Sequence, residues 1–203
     1  MDDVKTRVRS AIGRMHPAVG GVLCLDFANT LEPRGGPPPI TVPDGFVFRD
    51  ELRTYDDLVG WTVHKEVVSE ERGESLVRAA LRAPHAADET LTRAHILRDV
   101  IYRACWNLAH GDVPAPEELA TVAKEYADAA AHVALRATRD HVTWVWPNTG
   151  AALAEPLWHV AWSAAELLTT GDHRRIKVCP GLGRPPVSCG WLFYDRSKNG
   201  SRR

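Results

Sequence analysis

The chain has 203 residues, 44% hydrophobic and 25% charged, with a formal net charge of -1. This is ordinary for a globular protein and allows one sizeable domain with an appendage or two small domains. No apolar run approaches the roughly 20 residues that cross a bilayer, and the opening MDDVKTRVRSAIGRMHP lacks the apolar stretch of a secretory leader. A soluble, cytoplasmic protein with no membrane partner is therefore expected.

In chain order, residues 1–19 read as a short helical lead-in. The segment VLCLDFANTL, residues 22–31, places Leu23, Phe27 and Leu31 on one helical face, although Leu23, Leu25 and Phe27 also alternate; a short helix is the preferred reading. The Pro/Gly-dense EPRGGPPPITVPDG is a loop, and FVFRDEL reads as a short extended piece. Thr54 with Asp57 forms a capping-box pattern opening a helix that carries Leu58, Trp61 and Thr62 on one side and runs to about Lys65. Ser69 opens the next helix, which ends near Pro84. Asp88 is expected to cap the longest helix, to His110, with an apolar face of Leu91, Ile96, Val100, Ile101, Ala104, Cys105 and Leu108, closed by Gly111.

Pro116 opens a helix to about Ala131, with Glu117 and Glu118 in its first turn. The pattern then changes to period two: Val133, Leu135 and Ala137, then Val142, Trp144 and Trp146, predict a β-hairpin around Arg139 and Asp140. Glu155 and Pro156 begin a last helix closed by Gly171, with Leu157, Val160, Ala161, Ala164, Ala165 and Leu168 facing inward. The predicted fold class is α+β, predominantly α-helical, with one small β-hairpin.

The net charge hides an asymmetry. Residues 173–203 carry eight basic side chains against one acid, Asp195, whereas the preceding 172 residues carry 17 basic against 25 acidic. An acidic body with a basic tail reads either as a solvated terminus or as a polyanion contact, most simply nucleic acid. Cys24 and Cys105 lie in apolar segments and read as small core residues. Cys179 and Cys189 lie in a Gly/Pro-rich stretch and call for a separate explanation.

The body offers candidate pocket residues: Asp26 and Asn29 punctuate an apolar segment, and Trp158, His159 and Trp162 cluster on one helix, while Trp144 and Trp146 alternate on a strand. Aromatic rings with a few polar groups can line a small-molecule pocket, or they can simply be a Trp-rich core. No GxSxG, P-loop or HExxH pattern is present, so no catalytic residue is assigned.

Three stretches in order, LCLDFANTLEPRGG, PLWHVAWSAAELLTTGDHRRIKVC and CGWLFYDRSKNGSRR, resemble the ABATE domain followed by a CGNR-type zinc finger, a family of stress-related, bacterial-type transcription regulators. The resemblance implies an ABATE-like domain over residues 1–172 and a partial treble-clef-like zinc-finger segment over 173–203, truncated or degenerate. It implies Cys179 and Cys189 as the first half of a zinc site; the spacer CPGLGRPPVSC is longer than the family's tight knuckle, and the second ligand pair is not in the sequence. Zinc, a disulfide and two free thiols stay open as alternatives for this pair. The implied nucleic-acid contacts are Arg174, Arg175, Lys177, Arg196, Lys198, Asn199, Arg202 and Arg203: the bases neutralise phosphates, and Asn can reach a base edge. The expected function is a DNA-binding transcription regulator whose N-terminal domain senses a ligand or forms a homodimer. The alternative is a small-molecule-binding protein or enzyme evolved from the same scaffold with the finger lost.

Overall fold

The computed structural model describes residues 2–17, 19–36, 47–147, 150, 152–181 and 189–197. Among them are seven α-helices: α1 (Asp2–Ile12), α2 (Leu23–Ala28), α3 (Tyr55–His64), α4 (Glu70–Arg82), α5 (Pro84–His110), α6 (Pro116–Ala131) and α7 (Glu155–Thr170). Three antiparallel strand pairs accompany them: β1 (Leu31–Glu32) with β2 (Arg49–Asp50), β3 (Ala134–Ala137) with β4 (Val142–Val145), and β5 (Ile176–Val178) with β6 (Leu192–Tyr194). The protein is thus α+β and mainly helical, and no described helix is long and apolar enough to cross a membrane.

Local chemistry sets the helix ends. Thr54 accepts from the Asp57 backbone N–H (3.2 Å) while the Asp57 carboxylate accepts from the Thr54 N–H (3.0 Å), a reciprocal cap on α3. Such caps contribute about 1 kcal/mol. Ser69 caps α4 with a single bond, its hydroxyl accepting from the Arg72 N–H at 3.1 Å. The long helix α5 starts at Pro84 rather than at Asp88: Pro at the first helical position loses no hydrogen bond and presets φ, so one full turn precedes the acid that the sequence suggested as cap. Gly111 ends α5 with φ +83°, the left-handed cap that favours glycine.

α5 is the central strut. It touches α2, α3, α4, α6, α7 and strands β5 and β6. Its inward side is Ala94, Leu97, Val100, Ile101, Ala104 and Cys105, all buried, whereas Ile96, expected inside, is 51% exposed. Ala94, Leu97 and Ile101 recur at i, i+3 and i+7, and Ile96 lies off that stripe. Phe27 of α2 meets Trp61 of α3 edge to face at 5.1 Å, within a cluster that also holds Leu25, Leu58, Leu97 and Leu157. Each such buried side chain is worth about 1.5–3 kcal/mol. Helices α1 and α3 approach so closely at Gly60 that a Cβ there would lie 2.4 Å from the Ala11 Cβ. Ile176 of β5 and Leu192 of β6 belong to the same core cluster, so the C-terminal strand pair is packed into the helical body.

Candidate functional site

The strand pair β5–β6 carries both candidate metal cysteines at its open end. Register runs Ile176 to Tyr194, Lys177 to Phe193 and Val178 to Leu192, and the ladder continues with Cys179 N–H to Trp191 O (2.7 Å) and Gly190 N–H to Cys179 O (3.1 Å). Cys179 and Cys189 are unbridged thiols in hydrogen-bond contact; burial first, and then the neighbouring thiol, push the Cys189 thiol up to about 11. Cys24 and Cys105 are fully buried, as expected of core residues, and burial raises both thiols.

Three contacts clamp this hairpin to the body. The Asn29 side chain pairs with the Leu192 backbone, accepting from its N–H at 2.9 Å and donating to its carbonyl at 2.8 Å. The Arg34 backbone N–H donates to the Cys189 carbonyl at 2.9 Å. The Tyr102 hydroxyl of α5 donates to the Gly190 carbonyl at 2.8 Å. Gly190 has φ +64°, and a Cβ there would lie 2.6 Å from the Gly35 nitrogen, so this turn requires glycine. Arg34 is itself buried, bonded to the Ala28 carbonyl and to Asp99 at 2.8 Å each, with its guanidinium 4.4 Å above the Tyr102 ring. The segment LDFANTLEPRGG is therefore the cradle in which the cysteine turn rests.

A structural zinc takes four tetrahedral donors. Among the described residues no group of three or more His, Cys, Asp or Glu side chains gathers to hold a metal, so Cys179 and Cys189 supply half of a donor set. His173 donates from Nε2 toward the carbonyls of Leu167 and Leu168 at 3.2 and 3.1 Å.

The basic residues divide by role. Arg175 donates to the carbonyls of Asp195 (2.8 Å) and Ser197 (3.0 Å), holding the chain just past β6. Arg174 is exposed and paired with Asp172 at 2.9 Å; that pairing holds the Asp172 carboxyl below its ordinary value. Lys177 is half-buried and Arg196 exposed. Lys198, Asn199, Arg202 and Arg203 lie outside the described residues.

The five candidate pocket residues fall into two places. Asp26 accepts from the backbone N–H groups of Val19 (2.9 Å) and Gly20 (2.8 Å) and sits 3.7 Å from the Lys65 ammonium. Asp26 and Asn29 line a small polar cavity with His16, Glu51, Lys65 and Trp191. Trp158 is buried and stacked on His132 at 4.1 Å. His159 lies 4.2 Å from Trp146, and burial lowers its imidazole to about 4. Trp162 packs against Tyr126, Trp144 and Trp146 at 5.1–5.7 Å and lines an apolar groove between α6 and α7. Asp26 and Asn29 thus share one cavity, and Trp162 lines another.

Several site residues were not singled out in the sequence. Arg34 and Tyr102 hold the hairpin; Arg34 lies inside the EPRGG stretch and could have been read with it. Tyr126 and Glu166 line the groove beside Trp162. Trp162 and Glu166 stand at i, i+4, and the indole N–H donates to the carboxylate at 3.1 Å, a spacing visible in sequence.

Residues 21–171 match the family model of the ABATE domain, described as "Putative stress-induced transcription regulator". No curated protein and no solved structure matches the chain.

Proposed function

The chain belongs to the ABATE family, and on that premise we propose that it is a transcription regulator that engages DNA with the basic segment around and beyond its cysteine hairpin. The observation that carries this reading is the clamp. Asn29, Arg34 and Tyr102 fasten the hairpin to the body, and Arg175 holds the carbonyls of Asp195 and Ser197. The chain is therefore held up to Ser197, Arg196 is exposed within the held stretch, and Lys177 stands on the adjoining strand. Arg175 acts as a positioning residue, and Arg196, Lys198, Arg202 and Arg203 supply the phosphate contacts, with Asn199 able to reach a base edge. The preceding 172 residues carry more acids than bases, so attraction to a polyanion is confined to this end. The test is fluorescence anisotropy of a labelled duplex with the full chain and with the Arg196→Ala/Lys198→Ala/Arg202→Ala variant. Loss of binding with an unchanged melting temperature supports the reading; equal binding by the variant refutes it.

A second reading, that the body binds a small molecule, is favoured by the groove beside Trp162, where aromatic and aliphatic side chains stand open between two packed helices.

A further inference from the structure

We propose that the groove between α6 and α7 is a binding site for lipophilic organic cations, compounds with a delocalised or quaternary positive charge carried on apolar groups. The inference rests on the small-molecule reading of this groove and adds the chemical class; it is independent of the DNA contact. The groove has a volume of about 570 Å³, within the range of ordinary small-molecule sites. Leu119, Val122 and Tyr126 supply one wall, and Trp162 and Leu168 the other. Leu119 of α6 is left 41% exposed on the groove side of the packed helix pair.

Two features select charge. The first is the aromatic wall: Tyr126 lies 5.1 Å from Trp162, whose other neighbours are Trp144 at 5.6 Å and Trp146 at 5.7 Å. The faces of such rings carry negative potential and attract cations, most strongly for indole. The second is Glu166, the one carboxylate among the described lining residues, which include no Lys, Arg or His. Glu166 enters no ion pair among the described residues, and it accepts the Trp162 indole N–H at 3.1 Å. That bond orients the carboxylate and pushes electron density into the ring. A cation in the groove therefore meets apolar contact, the rings of Tyr126 and Trp162, and a carboxylate with no ion-pair partner among the described residues. An anion of the same shape meets the same apolar contact and two repulsive features.

Tetraphenylphosphonium and tetraphenylborate are matched in shape and opposite in charge, and titration of tryptophan fluorescence in the full-length chain reads both. The phosphonium is expected to bind saturably at one site, at least about tenfold more tightly than the borate. Glu166→Gln, at an exposed position, should weaken the phosphonium several-fold and leave the melting temperature unchanged. Ala123→Trp, also at an exposed position on the lining, should fill the groove mouth and abolish binding, which locates the site. If neither ion binds, or if binding survives Ala123→Trp, the groove is not a ligand site and the small-molecule reading falls with the inference. If both ions bind equally at a site that Ala123→Trp closes, or if Glu166→Gln has no effect, the groove stands as a pocket and the cationic class is wrong.

Discussion

Asn29 and Leu192, 163 positions apart, hydrogen-bond like partners in neighbouring strands: the side-chain carbonyl accepts from the Leu192 N–H at 2.9 Å and the side-chain amide donates to the Leu192 carbonyl at 2.8 Å. Helix α2 ends one residue before Asn29, which frees that side chain to serve as a one-residue edge for β6. Leu192 is fully buried, so removing the Asn29 side chain takes the partner from two buried backbone groups. Asn29→Ala should therefore cost about 2–4 kcal/mol, the penalty of orphaning a buried donor and a buried acceptor. Urea unfolding at neutral pH measures it, and a change below about 0.5 kcal/mol would remove the pairing as a structural determinant.

Gly190→Ala should loosen the cysteine turn without unfolding the body. The left-handed backbone costs an alanine about 1–2 kcal/mol, and its Cβ would stand 2.6 Å from the Gly35 nitrogen and 3.0 Å from the Tyr102 hydroxyl, among the groups that form the cradle. Reaction of Cys179 and Cys189 with an aromatic disulfide reagent should accelerate. Gly111→Ala is the control, because Gly111 has φ +83° with nothing within 4 Å of its Cβ position; it should lower stability and leave the thiol rates unchanged.

His159 should make stability depend on pH. Burial lowers its imidazole from 6.5 to about 4, so between those values the unfolded chain binds a proton that the folded chain refuses. Stability from this residue is complete above pH 6.5 and is lost progressively as pH falls toward 4. Melting temperatures of wild type and His159→Leu, measured from pH 7 to pH 4.5, should diverge in slope, with the variant flatter. Parallel curves would show that His159 is not held neutral.

The cysteine pair should retain well under one zinc per chain after dialysis against a mild chelator, because two thiols supply half of a tetrahedral set. Elemental analysis reads the stoichiometry. One zinc per chain in a monomer would contradict this expectation, and one zinc per two chains would indicate a site pooled between two copies.

Much of the frame was legible in the sequence because local rules decided it. Thr54 and Asp57 cap α3, Gly111 closes α5, and β3–β4 sits where period two replaced the helical period. The start of α5 differs from the sequence expectation because Asp88 is a good cap in isolation, whereas Pro84 is equally suited to a first turn and Ala83 ends α4 and opens α5 in one residue. The pocket residues were grouped by residue type, and their separation is a matter of tertiary direction. Asn29 faces β6, Asp26 faces the Val19–Gly20 backbone, and Trp162 faces α6. No local pattern encodes the pairing of Asn29 with Leu192 or of Tyr102 with Gly190, because each joins segments about 90 or more residues apart.

The central claim, that a clamped hairpin presents a basic segment to DNA, is tested most directly by the salt dependence of duplex binding. Each neutralised phosphate contributes a log–log slope of roughly -0.9, so about three to five contacts predict a slope between about -3 and -4.5. Anisotropy titrations of the full chain on a labelled duplex across a salt series should give that slope, and Arg196→Ala/Lys198→Ala/Arg202→Ala should reduce it by about two to three contacts. A wild-type chain that does not bind duplex at low salt, or a variant with the same slope and affinity, would contradict the account.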